Sequence, residues 1–362
     1  MEEKIITIEY LGWDEFFQTN REKLGLGDFE IARVIAQYKG AYKIKNTKGE
    51  YLAKITGKQI FKAMSQEDYP AVGDWVAFAE SGEKEAIIQK VLPRKTIIKR
   101  KHSGKDETQV IATNIDTAFV VESVDRDYNL NRIERYLAIA RDGKIQAVVI
   151  LNKIDLISPE ELELKLTEIK NRLGDAEIIP TSNLTEEGLA RLKKYIIKNK
   201  TYCFLGSSGV GKSSLINKLL GEEIIKTENI GERSGRGKHA TTTREMYFLS
   251  GGGIVIDNPG VREVGMTDVG AGIDDLFDEL TALAKKCKYV DCTHIHEPDC
   301  AVLTALETGQ IDKDKYTNYI NLKKETEHYE MTQFEKKAKN RQFGKFIKNT
   351  KKDLKNFGHK DY

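Results

Sequence analysis

A phosphate-binding loop at residues 206–213, with the sequence GSSGVGKS, constrains the fold of this chain more than any other feature. It follows the apolar run TYCFL and precedes the helical run SLINKLLG, which is the strand, loop and helix context of a Walker A motif. Backbone N–H groups of such a loop wrap phosphates, while Lys212 can reach the β- and γ-phosphates and Ser213 can bind Mg²⁺. The predicted phosphate contacts are Gly206, Ser207, Ser208, Gly209, Val210, Gly211, Lys212, Ser213 and Ser214.

The sequence NKID at residues 152–155 indicates which base the nucleotide carries. It follows the apolar run IQAVVIL, and its carboxylate, Asp155, can accept hydrogen bonds from the two N–H donors that guanine has and adenine lacks. The alkyl stem of Lys153 can lie along the ring. The sequence TSN follows the next predicted strand, where a second loop would support the base. The predicted guanine contacts are Asn152, Lys153, Ile154, Asp155, Thr181 and Ser182.

A third phosphate element, DNPG, begins at Asp257 after the apolar run GIVI. Asp257 is expected in the Mg²⁺ shell and the amide of Gly260 at the γ-phosphate. The segment GERSGRGKHATTT between the two phosphate motifs is predicted to be the first switch, in which Thr241 or Thr242 contacts Mg²⁺. We take Ser213, Thr242 and Asp257 as the predicted magnesium ligands.

These elements occur in a permuted order. A Ras-like GTPase runs from P-loop through switch and DxxG to NKxD, whereas here NKID and TSN come first. Because domain termini often lie close together, one sheet can be built from a different starting strand.

Position 261, where Ras-like proteins carry a water-orienting glutamine, holds Val261, so slow intrinsic hydrolysis is expected. His239 in the switch is the candidate catalytic group, and the alternatives are that it contacts RNA or is simply a residue of the loop.

A compact set of metal-ligating side chains lies near the carboxyl end of the sequence. Three thiols and one imidazole are the complement of a closed tetrahedral zinc site, so we expect one structural Zn²⁺. His296 is an alternative to His294 as the imidazole ligand. The predicted zinc ligands are Cys287, Cys292, His294 and Cys300.

Length and composition predict several globular domains. The chain has 362 residues, 58 basic and 56 acidic, and a formal net charge of +2, which is too balanced to indicate nucleic acid by itself. Residues 323–362 are the basic part, with 12 Lys or Arg against 6 Asp or Glu. With no run of about 18 apolar residues and no signal-peptide pattern, we expect a cytoplasmic protein with no membrane segment. Since no apolar helix face is left over, we expect a monomer.

We predict three domains. Short alternating segments from about residue 29 to 101 indicate a small OB-like barrel within residues 1–110, preceded by a helix. Residues 111–272 alternate apolar strands with longer helices and should form the α/β P-loop domain. Residues 273–362 should form a helical zinc-binding domain with a basic tail. Seven basic side chains of the barrel either contact phosphates or are simply solvated on strand faces, and the sequence favours neither interpretation. They are Lys43, Lys45, Lys54, Arg94, Lys99, Arg100 and Lys101.

Taken together, the permuted motif order, the sequences NKID, GSSGVGKSS and DNPG, the histidine-bearing switch and the cysteine cluster resemble the ribosome small-subunit-dependent GTPase A family. The resemblance covers nearly the whole chain. It implies an OB domain, a permuted GTPase domain and a zinc domain, in a factor that binds the small ribosomal subunit and its rRNA late in maturation. It also implies hydrolysis of GTP to GDP that the subunit stimulates. An extended amino terminus and Ala240 after the switch histidine depart from the family pattern.

Two functions are compatible with these residues. The first is a GTPase that acts on the small ribosomal subunit. The second is a GTP-gated RNA-binding module that acts on another RNA or RNA–protein particle. A P-loop ATPase conflicts with NKID and TSN. Stimulation of hydrolysis by different RNA partners separates the first two.

Overall fold

A closed five-stranded barrel forms the amino-terminal part of the computed structural model, which describes residues 6–101, 108–125, 128–174, 176–225, 244–257 and 269–330. The strand order is β1-β2-β3-β5-β4, and β4 pairs back with β1. Alternate residues of each strand face inward, so Val34, Ile44, Phe78 and Ile88 are fully buried in one apolar cluster. The prediction of an OB-type barrel is confirmed. Its elements are α1 (Glu15–Lys23), β1 (Glu30–Tyr38), β2 (Ala41–Asn46), β3 (Gly49–Ile55), α2 (Gly57–Lys62), β4 (Trp75–Gly82) and β5 (Glu85–Val91).

The central part is an α/β sheet in the order β10-β9-β8-β11-β13-β12. All neighbours are parallel except β12 and β13, which are antiparallel. The P-loop strand β11 lies between the earlier strand β8 and the later strand β13, so the predicted permuted order is built into one ordinary sheet. The elements are β8 (Thr117–Ser123), α3 (Leu130–Asp142), β9 (Gln146–Asn152), α4 (Pro159–Leu173), β10 (Ile178–Thr181), α5 (Leu189–Tyr195), β11 (Thr201–Leu205), α6 (Lys212–Leu220), β12 (Glu245–Phe248) and β13 (Ile254–Asp257).

Barrel and α/β sheet are joined edge to edge. Strand β1 pairs with β12 through Ala36 and Glu245, which makes one sheet of eleven strands. A hairpin of β6 (Ile97–Lys101) and β7 (Thr108–Thr113) runs between the two parts. Arg244, just before β12, donates to the carbonyl of Val110 at 3.3 Å and to Oε1 of Gln109 at 3.2 Å on this hairpin.

Within the described residues, four helices follow the sheet, namely α7 (Gly270–Leu276), α8 (Asp278–Ala284), α9 (Ala301–Glu307) and α10 (Lys313–Glu330). Helices α7 and α10 pack on α3, α8 packs on α7 and α9, and the buried side chains of all four belong to the same apolar cluster as those of α3 and β8. Arg135 on α3 donates to both carboxylate oxygens of Glu325 at 2.9 and 2.5 Å. The buried Glu134 accepts from Asn318 at 2.6 Å and from Arg172 at 2.7 Å. Of the helices described, none is long and apolar enough to cross a membrane.

A buried arginine fixes how the amino-terminal part meets the sheet. Arg33 on β1 is 1% exposed. Its guanidinium donates to the carbonyls of Leu11 at 2.6 Å, Gly73 at 3.3 Å and Asn114 at 3.1 Å. It also donates to Oγ1 of Thr201, the first residue of β11, at 2.9 Å. One side chain thus connects the amino-terminal segment, the barrel loop before β4, the connection between β7 and β8, and the P-loop strand.

Burial lowers the pKa of Arg33 to about 10, and the nearby carboxylates of Asp116, Asp74 and Asp14 oppose this shift. Because that pKa is still far above neutral, the guanidinium stays charged in the folded protein. Its hydrogen-bond partners therefore compensate the loss of water around a buried charge.

Replacing Arg33 by methionine should lower the free energy of unfolding by about 3 kcal/mol or more, because several buried acceptors lose their donor at once. The control is Arg191→Met, since Arg191 pairs with Glu177 at the surface with 57% of its side chain exposed. That substitution should change stability by about 0.5 kcal/mol or less. Urea unfolding followed by tryptophan fluorescence measures both. Equal effects of the two substitutions would contradict this account of Arg33.

Candidate nucleotide site and metal cluster

Four predicted site segments meet at one edge of the α/β sheet. The P-loop follows β11, the NKID segment begins at the end of β9, the TSN segment begins at the end of β10, and Asp257 ends β13. The carboxyl ends of parallel strands lie at the same edge, which is where open α/β sheets bind ligands. Sequence positions more than a hundred residues apart are thereby brought together.

The backbone of the P-loop has a conformation and a close approach to β8 that require glycine. Gly206 has φ +148°, and a Cβ there would lie 2.3 Å from the carbonyl oxygen of Val121. Lys212 begins α6, and its Nζ donates to the carbonyls of Gly206 at 2.8 Å and Ser207 at 2.6 Å. The ammonium therefore lies over the loop, from which it can reach the phosphates of a nucleotide.

Asn152 joins the three loops. It is fully buried, and its Nδ2 donates to the carbonyl of Val210 in the P-loop at 2.8 Å. Its Oδ1 accepts from Oγ1 of Thr181 at 3.0 Å. Gly211 has φ +100°, and a Cβ at that position would lie 2.3 Å from Nδ2 of Asn152. The side chain predicted to read guanine thus also sets the distance between the P-loop and the other two loops.

The direction of the Lys153 side chain is set by its own backbone conformation and by the carboxylate of Asp125. Its φ of +63° is left-handed, a conformation that costs energy in a residue other than glycine and is common at functional sites. Its Nζ donates to Oδ2 of Asp125 at 2.7 Å, and Oγ of Ser123 donates to Oδ1 of the same carboxylate at 2.9 Å. Asp125, which the sequence analysis did not single out, therefore orients the lysine from the end of β8.

Asp155 is held by the TSN loop. The hydroxyl of the fully buried Ser182 donates to Oδ1 of Asp155, and the same hydroxyl accepts from the backbone amides of Leu184 and Thr185, both at 3.1 Å. Nδ2 of Asn183 donates to the carbonyl of Gly211 at 3.4 Å. The carboxylate that would read the edge of guanine is therefore fixed in direction before a base binds.

A further contact reaches the P-loop from α3. Tyr136 is 2% exposed, and burial raises its pKa, while a hydrogen bond with the side chain of Ser207 opposes the shift. Sequence reasoning missed this tyrosine because its position in the amphipathic helix NRIERYLAIARD is indistinguishable from that of a core residue. It connects the helix that carries the carboxyl-terminal module to the phosphate loop.

The remaining predicted residues are distributed as follows. Ser213 and Ser214 lie in the first turn of α6, Ile154 is buried in a short 3-10 turn, and Asp257 is 5% exposed at the end of β13. Ser208 and Gly209 are exposed at the tip of the P-loop. The predicted site residues His239, Thr241, Thr242, Gly260 and Val261 lie outside the described residues.

The cysteine cluster has the dimensions of a tetrahedral metal site. The four ligand atoms of Cys287, Cys292, His294 and Cys300 all lie within 4.8 Å of one another. The sulfurs of Cys287 and Cys300 are 3.8 Å apart, and each is 3.5 Å from Nδ1 of His294. Tetrahedral bonds of about 2.3 Å to sulfur and about 2.0 Å to nitrogen require about 3.8 and 3.5 Å. This cluster can bind a metal ion, and His294 offers Nδ1.

Local structure holds the ligands in place. The backbone of His294 is left-handed at φ +59°, and its carbonyl accepts from the hydroxyl of Tyr316 on α10 at 2.6 Å. Glu297 accepts from the backbone amides of Thr293 at 3.0 Å and Ile295 at 3.1 Å, so it closes the loop around the cluster. The sulfur of Cys300 caps α9.

The electrostatics of the cluster favour the ligand form at His294 and Cys287, whereas burial and the neighbouring thiols raise the pKa of Cys292 to about 12. Burial lowers the pKa of His294, which keeps the imidazole neutral with a lone pair available. Burial alone would raise the pKa of Cys287, but the backbone amides of Ala301 and Val302 and the neighbouring thiols together lower it. A neutral imidazole and a readily formed thiolate are what a soft divalent ion requires.

Comparisons with known proteins agree with this arrangement. The model of the RsgA GTPase family matches residues 91–267. The chain is 36% identical over 349 residues to the small ribosomal subunit biogenesis GTPase RsgA 1 of Bacteroides thetaiotaomicron, which covers 96% of this chain and 97% of that protein. The corresponding protein of Opitutus terrae is 40% identical over 331 residues, 88% of this chain and 90% of that protein. The chain belongs to the RsgA GTPase family.

The structure is also similar to a solved structure. The crystal structure of YjeQ from Thermotoga maritima matches with a TM-score of 0.59 at 27% sequence identity, covering 81% of this chain and 96% of that chain. The permuted strand order, the barrel and the Cys3His cluster are therefore features of an RsgA-type GTPase, as the sequence predicted.

The contact between Gly211 and Asn152 can be tested with a matched pair of substitutions. Gly209 and Gly211 both have positive φ, at +85° and +100°, but a Cβ at Gly209 meets nothing within 4 Å. Gly211→Ala should therefore weaken GDP binding about tenfold more than Gly209→Ala, because only the former displaces Asn152. Titration with a fluorescent GDP analogue measures both. Equal losses would mean that backbone strain alone matters and that Asn152 does not set the loop spacing.

Proposed function

We propose that this protein is a GTPase that binds the small ribosomal subunit and assists its late maturation, hydrolysing GTP to GDP and phosphate with stimulation by the subunit. The observation that carries the proposal is the convergence of the NKID and TSN segments on the P-loop through Asn152. The relatives named small ribosomal subunit biogenesis GTPase cover nearly the whole chain and support the choice of partner.

Guanine recognition is proposed for the side chains at the ends of β9 and β10. Asp155, oriented by Ser182, would accept hydrogen bonds from the two N–H donors of guanine. Lys153, oriented by Asp125, would lay its stem along the ring. The contacts of Asn152 keep these groups at a fixed distance from the phosphates. Adenine lacks the donor pair that Asp155 requires, so ATP should be a poor substrate.

Phosphate binding is proposed for the P-loop amides and Lys212, with Ser213 and Asp257 as magnesium ligands together with Thr242. Mg²⁺ would neutralise charge that develops between the β- and γ-phosphates during hydrolysis. Ser213 in the first turn of α6 and Asp257 at the end of β13 both lie on the phosphate side of the sheet. Thr242 belongs to the predicted switch, and the amide of Gly260 is proposed to contact the γ-phosphate.

The hydrolytic step is proposed to depend on the partner. Val261 has no polar atom with which to orient water, so the free protein should turn over slowly. His239 is the internal candidate for assisting the attacking water, since an imidazole titrates near neutral pH. Contact with the subunit would complete the catalytic site by supplying or positioning the group that orients water.

For the Cys3His cluster we propose one structural Zn²⁺. The chain would supply the ligands for all four coordination positions of a tetrahedral ion, which is typical of structural rather than catalytic zinc. Its binding energy would stabilise the loop between α8 and α9, which has little apolar core of its own.

We also propose that the protein acts in the cytoplasm as a monomer.

Steady-state GTP hydrolysis should rise by an order of magnitude or more when purified small subunits are added, and should not respond to large subunits. Lys212→Ala should abolish the stimulated rate, because the phosphates lose their fixed cation. Phosphate release measures the rates. If neither subunit stimulates the wild-type protein, the partner is another RNA or RNA–protein particle.

Metal analysis of the purified protein should find one zinc per chain. His294→Ala should lose the zinc and lower the melting temperature, whereas His296→Ala should retain it, because His294 alone places a ring nitrogen within the described cluster. Plasma mass spectrometry and thermal melting with and without a chelator give the two readouts. Loss of zinc from the His296 variant only would reverse the ligand assignment.

A further inference from the structure

The structure divides the basic side chains of the barrel into two groups. Lys43 and Lys45 on β2 both pair with Glu50, at 2.6 and 3.0 Å. These were among the predicted phosphate contacts, but they share the one carboxylate of Glu50, so part of their charge is matched within the protein. Arg94 pairs with the buried Asp74, and Lys99 pairs with Glu67. These four basic side chains are therefore less available to a polyanion than unpaired lysines are.

Unpaired lysines occur on the side formed by β3, α2 and β5, which also carries the exposed Glu85 opposite Leu52. Within the part of the chain that the structure describes, four exposed lysines on this side form no ion pair. No acidic residue occurs in α2, whose sequence is GKQIFK. We call this side the α2 face. Its unpaired lysines are Lys54, Lys58, Lys62 and Lys90.

The α2 face also exposes large apolar side chains. Phe61 is 91% exposed, Met64 is 98% exposed and Ile60 is 52% exposed. Leu52 and Ile87, on the adjacent strands β3 and β5, are 46% and 37% exposed. A single exposed apolar residue needs no explanation, but a group of them beside unpaired lysines marks an interaction surface.

The side chains of the α2 face are presented on a fixed support. Thr56 and Gln59 form a reciprocal capping box that begins α2. Nε2 of Gln59 then donates to the carbonyl of Gln89 on β5 at 2.8 Å, which ties the helix to the barrel. A second capping box, between Ser65 and Asp68, holds the segment that follows Met64. Ordering costs on binding are therefore small for this surface.

We propose that the α2 face docks unpaired nucleotides of RNA, with Phe61 stacking on a base and the lysines contacting the phosphates on either side. A protein partner fits less well, because lysine is depleted in protein interfaces and each unpaired charge would be desolvated. Single-stranded nucleic acid uses this combination of aromatic platform and basic border. The inference rests on the proposed function for the identity of the RNA, a loop or end of the small-subunit rRNA.

The first test uses the full chain and a mixed-sequence single-stranded RNA of twelve nucleotides, followed by fluorescence anisotropy over a salt series. The double variant Lys58→Gln, Lys62→Gln should reduce the log–log salt slope by about 1.4, because each single-strand phosphate contact contributes about 0.7. Phe61→Ala should weaken binding about fivefold or more with the slope unchanged. The matched controls are Lys43→Gln, a paired lysine on β2, and Leu164→Ala, a leucine on α4 that is 71% exposed. Both controls should bind as the wild type does.

The second test repeats the variants with small ribosomal subunits and adds a benzophenone amino acid at position 64 for photo-crosslinking. Crosslinks to rRNA, together with weaker subunit binding by the α2-face variants and unchanged basal hydrolysis, are expected. Crosslinks confined to a ribosomal protein would assign the face to a protein partner and overturn the inference, as would wild-type RNA binding by every variant. If the short RNA responds to the variants but subunits do not stimulate hydrolysis, the proposed function fails while the α2 face stands.

Discussion

The guanidinium of Arg33 is the contact on which the relative position of barrel and nucleotide site depends. It is buried where the amino-terminal segment, a barrel loop, the connection between β7 and β8, and the first residue of β11 meet. The other end of β11 continues into the P-loop. A charge that water cannot reach must keep all of its hydrogen bonds, so small rotations of the barrel against the sheet would be costly. The orientation of the barrel, which is the proposed RNA-binding part, is thus coupled to β11, the strand that leads into the P-loop.

A second coupling runs through α3. Neighbouring residues of this helix contact different parts of the protein, since Arg135 pairs with Glu325 on α10 and Tyr136 contacts Ser207 in the P-loop. Glu134, one residue earlier, is shared between Asn318 and Arg172. The module with the Cys3His cluster therefore reaches the phosphate loop through a helix packed in a common core. The covalent chain after DNPG is a second link between the same two parts.

The sequence was most informative where chemistry imposes a fixed spacing. The strand before GSSGVGKS, the helix after it, the NKID loop and the Cys3His cluster follow from local patterns, and the structure has the strand, the helix and a cluster that can bind a metal ion where they were expected. Partners distant in sequence were not predictable. Arg33 reads as one polar residue in an alternating strand, Asp125 as a turn acid, and Lys43 as a phosphate contact until Glu50 is seen beside it. In each case the role depends on which side chain the fold brings near, information that no local window contains.

The edge pairing between barrel and sheet has a mechanical consequence. Strand β12 begins directly after the predicted switch, and its first residue, Glu245, pairs with Ala36 of the barrel. The residue before it, Arg244, is tied to the β6–β7 hairpin through Val110 and Gln109. A displacement of the barrel would therefore be transmitted through these contacts to the residues at which the predicted switch rejoins the sheet. The edge pairing thus makes the start of β12 depend mechanically on the position of the barrel.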